Sequence, residues 1–228
     1  AMVAFAKSKG VAVTAEATPH HLAIADCDMI PYDSNFKMKP PLRGREHVDA
    51  LLEGIASGVI DAIATDHAPH TPFEKNQDFA SAPFGITGLE SALPSLYHYF
   101  ISKSILDWGL IVKRYSAEPR RLMKLSPVPV KEGGTAEFIV FNPARTTTFS
   151  HDFMKSKSSN TPFLNQTLQG MIERVIRTLK EQCVHRHRFE SLQHASRTIG
   201  DWIHFYNNRR PHQALGMKTP AEAFRLAA

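Results

Sequence analysis

The sequence predicts an α/β fold followed by a mostly helical tail, and three observations predict it. The first is the run Asp61-Ala-Ile-Ala-Thr-Asp-His-Ala-Pro-His70. Its small and β-branched residues, Ala62 to Thr65, suit a strand covered on both faces, and Pro69 stops that strand beyond a polar tip. The second is a further strand-like run, Val11 to Ala17, followed by Arg45 to Gly58 with Val48, Leu51, Leu52 and Ile55 on one helical face. Strand, helix and strand in that order imply a parallel pair joined by a right-handed crossover. The third is the tail, where Leu192, Ala195, Ile199, Trp202, Ile203 and Tyr206 recur at helical spacing.

The remaining elements follow in order. Met2, Val3, Phe5 and Ala6 read as the end of a helix closed by Gly10. Helices are expected over Gly88 to Ile101, Ile105 to Lys113 and Ala117 to Lys124. Lys131 to Gly134 reads as a turn, and Ala136 to Asn142 as a strand ended by Pro143. Ser150 to Gln169 is polar and reads as irregular, with Ser156 to Gly170 a mobile connector. Met171, Ile172, Val175, Ile176 and Leu179 are expected to form one helical stripe. Thr219-Pro-Ala-Glu222 places an N-cap, a proline at the first helical position and a capping-box glutamate before a short last helix.

Composition narrows the classes. At 228 residues and 43% hydrophobic, the chain can bury one sizeable core or two small ones. No apolar run reaches membrane-spanning length and no signal peptide is visible, so the expectation is a cytoplasmic protein with no membrane partner. Cys27 and Cys183 have no CxxC spacing, which fits a reducing compartment. Residues 170–228 hold ten Lys/Arg against five Asp/Glu, which equals the whole net charge of +5. A basic tail on a neutral front points to a polyanion such as DNA, or to a solvated face.

Four motifs carry a family resemblance. Thr18-Pro-His-His-Leu22, Phe36-Lys-Met-Lys-Pro-Pro-Leu-Arg43, Thr65-Asp-His-Ala-Pro-His70 and Ala82-Pro-Phe-Gly-Ile-Thr-Gly-Leu-Glu90 resemble, in the same order, the C-terminal part of dihydroorotases of the amidohydrolase superfamily. The resemblance covers about residues 1–168. It implies residues 1–130 as a partial (β/α)8 barrel, its last two strands with covering helices, and residues 131–168 as part of a β-sandwich. Allantoinases and hydantoinases rank lower, because the Lys-Met-Lys-Pro-Pro-Leu-Arg run and the Pro-Phe-Gly loop look dihydroorotase-like.

The resemblance also implies chemistry. Dihydroorotases use one or two metal ions, usually zinc, to activate the hydroxide that opens a cyclic amide. Asp66 matches both a metal ligand and the general acid/base. His21, Lys39, His70, Phe84 and Gly85 match substrate-binding positions for dihydroorotate or N-carbamoyl-aspartate, although bacterial members commonly have Asn where Lys39 stands. His20 and His67 read as supporting or packing residues. The family's His-x-His pair, bridging carboxylated Lys or Asp and two further His ligands have no counterpart in these 228 residues, and six of eight barrel strands are expected to be absent. His185-Arg-His187 lies in the tail and does not fit that pair.

Residues 170–228 resemble the C-terminal end of a DDE-type insertion-sequence transposase, implying the helices of an RNase H-like integrase core. Gly170 to Glu181, Trp202 to Leu215 and Thr219 to Phe224 carry that likeness. Glu173 matches its triad glutamate, and Arg209, Arg210 and His212 are candidate phosphate contacts. The join is expected near Gln166 to Met171. Three readings follow: a dihydroorotase-like cyclic amidohydrolase of pyrimidine biosynthesis, truncated to an inactive chimera that no longer retains zinc; a transposase remnant with weak nucleic-acid binding; and a pseudogene product without function, which describes the isolated chain best.

Overall fold

The computed structural model describes residues 1–127, 139–173, 190–209, 219 and 222. The chain forms two compact units, residues 1–127 with 141–172, and residues 128–140 with 173–228.

The larger unit is organised on a parallel strand pair. β1 (Glu16–Ala17) pairs with β2 (Ala62–Ile63) in the register Glu16 to Ala62 and Ala17 to Ile63. The ladder extends through Asp61 N–H to Ala15 O and Ala64 N–H to Ala17 O, at 2.9 and 3.0 Å. The expected strands are thus shorter as ladders than Val11–Ala17 and Ala62–Thr65. The N-terminal helix α1 (Met2–Ser8) lies before them, and its Lys7 reaches Asp61 at 2.7 Å.

Two helices lie between the strands. α2 (Pro19–Ala23) starts at Thr18, whose hydroxyl accepts the His21 N–H, with proline in the first turn. α3 (Arg45–Ser57) buries Val48, Gly54 and Ile55 and stops at Gly58, which is left-handed at φ +86°. Arg114 seals this end by donating Nε to Ile55 O.

After β2, α4 (Pro72–Lys75) has a capping box made by Thr71 and Glu74. α5 (Ala92–Leu96) runs into a wider π turn over Tyr97–Ile101. α6 (Trp108–Val112), a second π turn over Lys113–Ala117 and α7 (Glu118–Leu122) form one continuous helical run. Pro119 cannot donate a helical bond, and it stands at the start of the run's last segment, just past the wider turn.

Three expectations for the second half are corrected. The strand near Pro143 does not end there: β3 spans Val140–Thr148. Among the described residues β3 pairs with β4 (Thr167–Glu173) alone. Met171 and Ile172 are therefore strand residues, not part of a helical stripe. Glu173 is the last residue of β4. As positions fall from Phe149 to Thr147, their partners rise from Gln166 to Gly170, so the pair is antiparallel. Finally, the run expected to be a mobile connector is packed: Asn160, Thr161 and Phe163 are buried. Phe149, Met154, Phe163 and Leu168 join the same core as Leu22, Met38, Ile55, Ile63, Ile86 and Leu96. Phe149, Met154, Phe163 and Leu168 bury apolar area that overrides the polar composition around them.

In the smaller unit, α8 (Leu192–Asn208) begins at Ser191, whose hydroxyl accepts the His194 N–H. It covers the expected Leu192–Tyr206 stripe. Thr219 and Glu222 form the expected reciprocal cap. The Lys131–Gly134 turn, His185, His187, Arg210, His212 and most of the first tail stripe lie outside the described residues, as does the Glu173 side chain. Among the described residues, no helix is long and apolar enough to cross a membrane.

Candidate active site

The chain leaves β2 through Thr65 and turns at Asp66, which is exposed and takes φ +46°. Asp tolerates this left-handed conformation better than most residues. Asp66 lines a cleft of about 680 Å³ that also takes in His21 from α2, and Lys39 and Arg43 from the loop before α3. His47, Leu51 and Ile60 are among the other residues of its wall. The cleft runs along the strand pair, lined by Ala15 and Val59 before the strands and by Thr18 and Asp66 at their C-terminal ends, where open α/β sheets and barrels place ligands.

His21 is fixed on both ring nitrogens. Nε2 lies 2.8 Å from Pro40 O, which can only accept, so that nitrogen carries the hydrogen. Nδ1 then accepts from the Thr18 hydroxyl at 2.7 Å. His21 therefore offers the cleft a ring face rather than a free nitrogen. Beneath it His20 is 2% exposed, its ring centroid 4.6 Å from that of His21. Burial, helped by the neighbouring His21, lowers its pKa from 6.5 to about 3, and among the described residues its buried Nε2 has no hydrogen-bond partner.

His70, Phe84 and Gly85 form a second group that does not line this cleft. His70 Nε2 donates to Phe84 O at 2.9 Å, and its Nδ1 lies 3.9 Å from a Glu74 carboxylate oxygen. Gly85 sits at φ +117° with a would-be Cβ only 2.6 Å from the Ala68 Cβ, so glycine is required. Lys39 links the groups, its Nζ 5.8 Å from the centre of the Phe84 ring. Arg209 is exposed beyond the end of α8, in the other unit.

Several supporting residues escaped sequence reasoning. The buried Lys37 donates Nζ to the carbonyls of Phe79, Ala80 and Ala82 at 2.6 to 2.8 Å and stands 4.6 Å over the Phe84 ring. The buried Lys75 donates to Pro83 O and Gly85 O. Two ammonium groups thus gather the carbonyls of the 79–85 loop, and burial followed by repulsion from Lys37 lowers the Lys75 pKa. Glu90 accepts from Lys155 N–H and from Ser156 N–H and hydroxyl at 2.6 to 3.0 Å. Burial works to raise the Glu90 pKa, but these bonds outweigh it and lower it. His67 accepts the Gly88 N–H on Nδ1, a loop-holding role. Lys37 stood inside a quoted motif, but no sequence signal marks which lysine is buried.

Among the described residues, no group of three or more His, Cys, Asp or Glu is placed to hold a metal ion. Asp66 supplies one carboxylate where a catalytic zinc needs about three protein ligands, so these residues do not fit the metal by themselves.

Comparison with known proteins agrees with this architecture. Three quarters of the chain share a fold with solved hydantoinases. D-hydantoinase from a Bacillus sp. AR9 superposes with a TM-score of 0.67 at 23% identity, over 75% of this chain and 39% of that one. The inactive dihydroorotase-like domain of the Chaetomium thermophilum CAD-like multifunctional protein gives 0.51 at 19% identity, over 75% and 44%. In sequence the chain is dihydroorotase-like. It is 42% identical over 170 residues to the dihydroorotase of Solibacter usitatus, covering 75% of this chain and 40% of that protein. It is 44% identical over 170 residues to that of Carboxydothermus hydrogenoformans, covering 74% and 40%. The chain thus spans about 40% of the length of these curated relatives. Residues 157–220 match the integrase core domain family, a match that begins inside the larger unit.

Proposed function

We propose that this chain is a dihydroorotase–integrase chimera whose larger unit retains one wall of a cyclic-amide hydrolase site without the donors to catalyse by itself. The observation that carries this reading is the shared cleft of Asp66, His21 and Lys39 at the C-terminal ends of two parallel strands. In that site Asp66 is the proton-transfer group, taking a proton from the attacking oxygen and returning it to the leaving ring nitrogen. Lys39 meets a substrate carboxylate and His21 forms a rigid wall, while the Phe84–Gly85 loop stands outside this cleft and borders it only through Lys39. The substrate class is dihydroorotate or N-carbamoyl-aspartate, from the relatives' names and the motif matches. Among the described residues Asp66 has no companion ligands that would hold a metal with it. The test is dihydroorotate hydrolysis by the purified 228-residue chain with zinc added. No turnover is expected, and turnover that disappears in Asp66→Ala overturns the inactive assignment.

A second reading concerns the tail. The integrase match and the +5 charge of residues 170–228 favour weak, sequence-independent DNA contact through phosphates, with Arg209 and Arg210 as candidates. Binding to a random duplex should fall steeply between 50 and about 200 mM salt. Tight binding to one particular sequence at physiological salt contradicts it.

A further inference from the structure

We infer that Asn160 is a positioning residue of the site: its carboxamide ties the loop bearing Asp66 and His70 to the loop bearing Phe84 and Gly85. Asn160 lies in the polar run Ser156–Asn160, yet it is 5% exposed. Its Oδ1 accepts the His70 N–H at 3.0 Å. Its Nδ2 donates to Ala68 O at 3.0 Å and to Gly85 O at 3.2 Å. Its own carbonyl accepts the Thr87 N–H at 2.9 Å. The Ser158 hydroxyl donates to His70 O beside it. Five groups on two loops therefore converge on one short segment far away in sequence.

The chemistry of the contact needs an amide. One acceptor faces an N–H and two donors face carbonyls, all from one planar group. A carboxylate of the same size keeps the acceptor but sets an anionic oxygen against two carbonyl oxygens. An aliphatic side chain of similar size keeps the volume and loses every bond. What the tether holds is the exit from β2. Ala68 N–H bonds Ile86 O at 2.8 Å, and a parallel bridge joins His67 to Ile86. Asp66 takes its left-handed turn immediately before this bridge, so the bridge limits where its carboxylate sits in the cleft. Glu90 anchors the same segment through Ser156. Asn160 belongs to the larger unit, although the integrase match already begins at residue 157.

The functional weight of this tether depends on the reading of Asp66 above, but its existence does not, and it is measured without turnover. The experiment is amide hydrogen exchange on the full chain carrying Asn160→Asp or Asn160→Leu. In Asn160→Asp the Ala68 amide should exchange about 10- to 100-fold faster, while the His70 amide, its acceptor retained, stays within about threefold of wild type. In Asn160→Leu both amides should accelerate. The His70 ring should lose its bond to Phe84 O, seen as a shift of its Nε2 resonance towards that of free imidazole. The Ala64 amide, in the strand ladder, should stay protected in both. Equal behaviour of the two variants, or loss shared with Ala64, overturns the inference and reduces Asn160 to core filling. If Asn160→Asp does not fold, Ser158→Ala decides. Faster exchange confined to residues 66–70 supports the tether, and unchanged exchange there overturns it.

Discussion

Acid should weaken the larger unit through one residue, His20. Its ring is 2% exposed, and its pKa is lowered from 6.5 to about 3, first by burial and then by His21. The folded chain therefore keeps His20 neutral where the unfolded chain protonates it. The unfolded state binds more protons, so stability is complete above pH 6.5 and is lost as pH falls towards 3. Each pH unit in that window costs about 1.4 kcal/mol. At pH 4 the loss amounts to about 3 kcal/mol, or ~300-fold in the opening equilibrium. The perturbation is His20→Leu, which removes the titrating group and the Nε2 that lacks a partner among the described residues. The assay is exchange of the Ala64 amide, which donates to Ala17 O in the strand ladder, followed from pH 7 to 4 and corrected for intrinsic rates. Wild type should lose protection relative to the variant by that factor, and the variant should be no less stable at pH 7, because an orphaned buried polar atom costs about 1–3 kcal/mol. Parallel pH dependences of the two proteins would refute the reasoning.

Three further outcomes are expected. Gly85→Ala forces a side chain onto φ +117° and against the Ala68 Cβ, and should cost about 3 kcal/mol, read as a lowered urea midpoint; an unchanged midpoint contradicts it. Lys37→Met strips a donor from three carbonyls and should cost a similar amount, about 3 kcal/mol, with faster exchange confined first to residues 79–85. Asp61 has its pKa lowered: burial acts to raise it, but the hydrogen bonds from Lys7 and Ala15 N–H and the Lys7 charge win. Its stabilisation is thus present above its unfolded pKa of about 3.9 and lost as pH falls through the lower folded value. Asp61→Asn should flatten the stability profile in that acid window, and an identical profile in the variant counts against the pairing.

Local signals were enough for the β1–α3–β2 unit: the apolar face of α3, the left-handed stop at Gly58 and the short uncharged run at Ala62 each act through neighbours in sequence. The Thr219–Glu222 cap and the α8 stripe were legible for the same reason. The motifs put His21, Lys39, Asp66, His70, Phe84 and Gly85 in one site; the first three line a common cleft, and the other three form a separate group. The remaining features depend on long-range contacts. β3 runs on through Pro143 because β4, well beyond it in the chain, pairs with it, and no local signal names that partner. Met171 and Ile172 became strand residues because β3 was there to pair with β4, overriding a helical periodicity. Lys37 and Lys75 look like surface lysines until the carbonyls of the 79–85 loop close around them. Asn160 and Phe163 sit in a polar run whose composition reads as irregular, and they are buried because distant loops supply their partners. A hydrogen bond that spans ninety residues leaves no periodic trace in the chain, whereas a helix face repeats every turn.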